Sequence, residues 1–382
     1  MKKKVYFTRF IKIFSLILAL TVSTWVLQSF FLCHPEHNKL RIEGFYLEDK
    51  NSLDVVFMGA SEMYTCFSPG LAYEKFGFTS YSYATASVTS GALITQIKEI
   101  MRTQNPRLIV AEINPFLYPD EANENNEGSI RKYIDSVPNN ENKREYVKSL
   151  NAENEIEYYL PIIKYHNSWT EYPGGIKFAG AMILQKIRGY SLLKGYKTNT
   201  GMCSLQDDYM NKELIDDDST LALHPFYEKK LRETLDYCKE NNINNVLFIR
   251  APHLINNEKD YDGFRRTNYA GNIIKDHGFD FINFERDSET MSYNAHNYYN
   301  IQHLNVYGSK SFTEYFGKIL SDKYGIRDTK LTSEQKSRWD EAAEFYHKFY
   351  KCCDEMTMSD EAPVEIEEDL FGIRQIEKYQ NY

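Results

Sequence analysis

Several signatures are missing from this chain, and each absence removes a class of function. The six cysteines, Cys33, Cys66, Cys203, Cys238, Cys352 and Cys353, include no Cys-x-x-Cys pair and no paired Cys/His spacing that would hold zinc. No metal and no cofactor is therefore implied. They make no disulfide framework either, since Cys352 and Cys353 are adjacent and the others are scattered along 382 residues. No Gly-x-Gly-x-x-Gly or Gly-x-x-x-x-Gly-Lys run follows a predicted strand, which sets aside the glycine-rich phosphate cradles of nucleotide-binding α/β proteins. The formal net charge is -9 and the body of the chain has no basic stripe, which excludes nucleic acid as a partner.

Rings, by contrast, are abundant: 30 Tyr and 23 Phe serve either a packed core or a sugar-contacting surface. The length suffices for one large domain or two modest ones, with no need of covalent staples.

The most telling apolar run lies at the N-terminus. Lys2, Lys3, Lys4, Arg9 and Lys12 precede residues 13–32, which carry no charge. At about 1.5 Å per helical residue this run matches a hydrocarbon layer of about 30 Å. The positive flank keeps the N-terminus in the cytoplasm and sends the remainder across. A cleaved signal peptide is the competing reading, but the exit Ser29-Phe30-Phe31-Leu32-Cys33 offers bulky residues where a peptidase needs small ones, and Leu32 argues against a lipoprotein site. Residues 1–35 are thus expected to be a cytoplasmic stub and single-pass cell-membrane anchor, with the main domain extracytoplasmic.

Beyond residue 52, buried-strand patterns alternate with helical ones. Strands are predicted at 53–58 (LDVVFM), 78–83, 107–113 (RLIVAEI), 245–250 (NVLFIR) and 279–284 (FDFINF), and helices at about 91–102, 225–241, 261–276, 305–324 and 333–350. Such alternation predicts an α/β domain over residues 36–328, a three-layer α/β/α sandwich with a mainly parallel sheet. A polar segment at about 120–220 interrupts it as an insertion. Residues 329–382 read as a helix followed by an acidic tail, without Lys or Arg between Asp354 and Ile373, either solvated and partly disordered or peptide-like and regulatory.

In parallel sheets the reacting groups gather beyond the carboxyl ends of the strands. Ser61 follows the first strand in Gly59-Ala60-Ser61, where the glycine permits a sharp turn. Asn114 follows the third strand. His303 lies in Asn300-Ile301-Gln302-His303-Leu304-Asn305, just before a late helix. A serine hydroxyl needs a base to take its proton, the base needs an orienting acceptor, and the oxyanion needs donors. Taken singly, Ser61 is also a helix cap, Asn114 a turn former before Pro115, and His303 a surface or capping residue.

Strand-Gly-Ala-Ser near one end, with His303-Leu304-Asn305 and Tyr307-Gly308 near the other, resembles the SGNH/GDSL hydrolases over about residues 50–325. The likeness is to a membrane-anchored bacterial branch that includes D-alanyl-lipoteichoic-acid biosynthesis and alginate O-acetyltransferase-like proteins. It implies Ser61 as nucleophile and His303 as base, with Asn300 as the acceptor behind the ring. Asn114 falls at the position of the side-chain oxyanion donor, and Gly91 at that of a second backbone donor. His166 and Trp169 of the insertion are candidates for contacts to a sugar or acyl chain, or for packing onto the core. The implied activity is that of an esterase or O-acyltransferase on cell-envelope polymers, polysaccharide or teichoic-acid-like, beside a membrane-embedded acyltransferase. The alternative is a catalytically weak or inactive descendant that binds glycans or assists such an acyltransferase.

Two departures stand out. The family carries Asp where this chain has Asn300, and no Gly-x-Asn-Asp occurs. An asparagine carbonyl accepts the ring proton but brings no charge, a loss that costs on the order of 10⁴ in turnover in a serine protease. Asp287, Glu285 and Glu62 are the carboxylates available as substitutes.

Overall fold

Five short runs pair into one parallel sheet; four are buried at every position, while the run at 280–283 on one edge is exposed to half-buried. The computed structural model describes residues 2–31, 38–165, 172–204, 209–359, 362–366 and 368. Helices α1 (Lys2–Phe31) and α2 (Asn38–Phe45) lead into strand β1 (Val55–Gly59), followed by α3 (Ser61–Cys66), α4 (Pro69–Phe76), β2 (Ser80–Ala84), α5 (Leu93–Thr103) and β3 (Leu108–Glu112). Five helices come next: α6 (Glu127–Ile134), α7 (Glu141–Ser149), α8 (Ile156–Tyr159), α9 (Pro161–Tyr165) and α10 (Tyr172–Arg188). The alternation resumes after the short β4 (Thr198–Asn199), with α11 (Pro225–Glu240), β5 (Val246–Arg250), α12 (Glu258–Asp276) and β6 (Asp280–Asn283). A small hairpin, β7 (Tyr298–Asn300) and β8 (His303–Leu304), precedes α13 (Val306–Tyr324), α14 (Ser333–Thr357) and β9 (Glu365–Ile366).

The sheet order is β2-β1-β3-β5-β6, and every neighbouring pair is parallel. Side chains alternate across it as the pleat requires. Val56 and Met58 join one apolar cluster with Ile97 of α5 and Leu231 of α11, while Val55 and Phe57 join another with Met63 of α3 and Phe316 of α13. Both faces of β1 are therefore covered. The predicted strands and helices are found to within a few residues, with α14 running on to Thr357, whereas α2, α3, α4, the helices of the 120–220 segment, β4, the hairpin β7/β8 and β9 have no predicted counterpart.

The polar segment at 120–220 is about half helical where it is described, and it adds Tyr133, Ile134, Tyr146 and Val147 to the main core. Helices α9 and α10 pack against α1. Val5–Thr24 of α1 is long and apolar enough to cross a membrane, and none of that stretch is buried within the protein. On α10, Ile183, Leu184 and Ile187 share one exposed face, with Ile187 77% accessible.

The acidic tail is not wholly solvated. β9 pairs antiparallel with β4, Ile366 is buried, and Lys197 Nζ lies 2.6 Å from Glu365 Oε2. Two residues on, the Glu368 carboxylate accepts from the Leu193 backbone at 2.8 Å and from Ser191 and Arg188. The acidic composition hid this because Glu365 and Glu368 each find specific donors. Cys66, Cys203, Cys238, Cys352 and Cys353 carry free thiols, and Cys33 lies outside the described residues.

Lys194 is 0% exposed and donates to both oxygens of Glu48 at 2.9 Å, with its ammonium 4.6 Å from the ring centre of Trp339. Removing the cation strands a carboxylate in the interior. Lys194→Met is expected to lower the unfolding free energy by about 3–5 kcal/mol. Denaturant unfolding checks this: the double variant with Glu48→Gln should lose clearly less, and equal losses would show that the pair is not coupled.

Candidate functional site

The carboxyl end of the sheet assembles the site. Gly59 ends β1 with φ +129°, and a Cβ there would stand 2.9 Å from Glu112 Cβ, so only glycine lets the chain turn off the strand beside β3. The turn sets Ser61 at the start of α3. On the other side, Asn305 caps α13 by accepting from the Tyr307 and Gly308 backbones at 3.0 and 3.2 Å. That buried cap fixes the hairpin immediately before it, and His303 projects from β8 toward Ser61.

Ser61 Oγ and His303 Nε2 are 2.8 Å apart, and His303 Nδ1 is 2.9 Å from Asn300 Oδ1. The protonation pattern follows from a third contact. The Gln302 backbone N–H donates to Asn300 Oδ1 at 3.0 Å, so the atom facing the ring is the amide oxygen and not the nitrogen. Nδ1 must then carry the proton, and Nε2 is left to accept from the serine. Tyr299 stacks on the imidazole at 5.2 Å with an interplanar angle of 10°. Burial holds the His303 imidazole below its ordinary value, although the Glu62 carboxylate pulls the other way.

Asn114 stands three residues past Ala111, whose strand partner Met58 is three residues before Ser61. Its backbone N–H donates to Glu112 Oε1 at 2.9 Å, and its Oδ1 accepts from Arg250 Nη1 at 2.8 Å. Arg250 thus turns the carbonyl inward and leaves the Nδ2 donors without a partner among the described residues. An oxyanion donor needs that arrangement. Gly91 does not offer the same: its N–H already donates to Glu124 Oε1 at 2.9 Å, and Ser90 binds the other oxygen of the same carboxylate. His166 and Trp169 lie outside the described residues.

Of the three substitute carboxylates, only Glu62 reaches the reacting pair. Asp287 accepts from the Tyr315 hydroxyl at 2.8 Å, and Glu285 takes Arg250 Nε at 2.7 Å. Glu62 Oε2 is 3.4 Å from Ser61 Oγ, and Glu62 Oε1 is 3.5 Å from His253 Nε2. Burial alone would raise the Glu62 carboxyl, but His253, His303 and Arg250 outweigh it and hold it below the ordinary range. Glu112 goes the opposite way, pushed well up by burial and by the neighbouring Glu62.

Sequence reasoning did not single out Arg250, Glu112 or His253, all buried under the site. The signal was a charge closing an apolar strand: NVLFIR ends in Arg250, and Glu112 falls near the end of RLIVAEI. A charged residue at the carboxyl end of a central strand is placed either to be solvated or to serve the site, and these two are buried.

With Nε2 unprotonated, Ser61 is activated only while His303 is neutral. A depressed imidazole keeps that state at lower pH, so labelling of Ser61 by a fluorophosphonate is expected to persist below pH of about 6.5 and to fall only on further acidification. The labelling rate against pH checks this, and an acidic limb centred above that value would contradict it. No family model matches this chain, and neither a curated protein nor a solved structure matches it, so its chemistry is read from its own residues.

Proposed function

We propose that this is a membrane-anchored, extracytoplasmic serine esterase or O-acyltransferase of SGNH type, acting on acyl esters of cell-envelope polymers. The observation that carries the reading is the Ser61–His303–Asn300 relay, with contacts of 2.8 and 2.9 Å and a tautomer suited to proton abstraction. In this reading the two apolar clusters, one on each face of the parallel sheet, belong to a three-layer sandwich. The basic flank of α1 keeps the N-terminus cytoplasmic. The apolar face of α10, packed beside α1, turns toward the bilayer.

The chemistry follows from the geometry. Ser61 Oγ attacks the acyl carbonyl carbon while its proton passes to His303 Nε2. The carbonyl oxygen becomes an oxyanion held by Asn114 Nδ2 and the Ser61 N–H. Collapse of the adduct breaks the ester C–O bond, and His303 returns the proton to the leaving alkoxide. The acyl-Ser61 ester is then resolved by water, or by a sugar hydroxyl of a polysaccharide or teichoic-acid-like acceptor, with His303 again as base. A membrane-embedded acyltransferase is the fitting source of acyl groups for a domain held at the membrane surface.

A second reading is a catalytically weak or inactive relative that binds glycans or assists such an acyltransferase. The uncharged Asn300 favours it. Turnover of a simple acyl ester such as p-nitrophenyl acetate separates the two. Ser61→Ala is expected to reduce turnover by on the order of 10⁴-fold or more and to abolish fluorophosphonate labelling. Equal rates for wild type and Ser61→Ala would leave only the binding reading. Asn114→Ala should lower kcat by about 10²–10³-fold with little change in KM, as steady-state kinetics would show.

A further inference from the structure

We propose that Glu62 supplies, from beneath the nucleophile, the fixed negative charge that Asn300 cannot place beside the imidazole. The inference rests on the Ser61–His303 reading and adds a positioning residue to it. Its basis is that one hydroxyl touches both groups: Ser61 Oγ is 2.8 Å from His303 Nε2 and 3.4 Å from Glu62 Oε2. The carboxylate therefore lies on the side of the ring opposite Asn300, which holds Nδ1. Asn300 is exposed and neutral, whereas Glu62 is 2% exposed, so the field of Glu62 is little screened by water.

Arg250 helps to hold Glu62 ionised without pairing with it directly. Arg250 is engaged with Glu285 at 2.7 Å and lies 3.4 Å from Glu112, which burial and Glu62 drive toward its neutral form. His253 is fixed by Nδ1 on the Ala251 carbonyl at 2.8 Å and turns Nε2 toward Glu62 at 3.5 Å. From the other elements around His303 come Glu365 and Lys197, which pair with each other at 2.6 Å, and the stacked Tyr299. Among the described residues no Lys or Arg makes an ion pair with Glu62. The cation it is placed to stabilise is the imidazolium that forms when Ser61 gives up its proton. A buried carboxylate with no Lys or Arg paired to it costs stability, and its place beside the proposed nucleophile supplies a functional reason for keeping it.

The test uses the full-length chain in nanodiscs with ¹³C-labelled histidine, reading the titration of His303 by NMR and the reactivity of Ser61 by fluorophosphonate labelling against pH. Glu62→Gln, nearly isosteric, is expected to lower the His303 midpoint and to slow labelling at pH 7 by about tenfold or more. Adding Asn300→Asp should raise the midpoint again and recover most of the rate. A purely structural role would move neither midpoint, and an unchanged His303 titration in Glu62→Gln overturns the proposal. Should Glu62→Gln fail to fold, exposed Asn300→Asp alone still decides. With Glu62 already supplying charge, its gain should stay below about tenfold, while a gain approaching the 10⁴ or so attributed to a lost triad carboxylate would overturn the proposal. A wild-type chain whose His303 responds to Glu62 but whose Ser61 never labels would instead sink the serine-enzyme reading and leave the electrostatic coupling in place.

Discussion

The geometry of the site depends on a single hydrogen bond, 2.8 Å long, between a hydroxyl and an imidazole 242 positions apart in the chain. Neither partner could hold it alone. Ser61 is placed by the turn that Gly59 permits at the end of β1, and His303 by a two-strand hairpin locked onto the capped start of α13. The sheet between them acts as the ruler. Its parallel register sets the ends of β1 and β3 side by side, and the loops that leave that edge have only a short distance to cover.

Charge under the site is organised by the same strand ends. Arg250 closes β5 and reaches Asn114, Glu112 and Glu285 at once, so a single guanidinium orients an amide and ties two carboxylates together. Ionic groups of this kind are poor sources of stability, because leaving water costs as much as pairing returns. Their value lies in direction: a buried planar fork fixes which atom of Asn114 faces inward. The surroundings of Ser61 are therefore set by groups that never need to touch a substrate.

Much of this was legible in the chain beforehand, and the reasons differ by element. β1, β3 and β5 were readable because each is an apolar run buried at every position, and α11 and α12 because apolar residues recur at helical spacing. Ser61, His303 and Asn300 were readable because they sit where a parallel sheet collects polar groups. The hairpin at 298–304 was not, since Tyr-Tyr-Asn and His-Leu are too short to carry a pattern. The docking of Glu365 and Glu368 was invisible for another reason: composition averages over a tail, whereas a single carboxylate with the right donors is enough to fasten it. The occupation of the Gly91 amide by Glu124 is likewise a pairing between residues 33 positions apart that no local spacing announces.

The short ribbon formed by β4 and β9 has a consequence for how the protein comes into being. One of its strands lies at 198–199 and the other at 365–366, so the ribbon closes only after the chain has been made through residue 366. The imidazole, too, emerges long after the hydroxyl. In the proposed reading, a chain synthesised from its N-terminus carries Ser61 through the making of the next 242 residues without a base to activate it, and such long-range closures are slow. Any reactivity would thereby be deferred until the hairpin that carries the imidazole has formed.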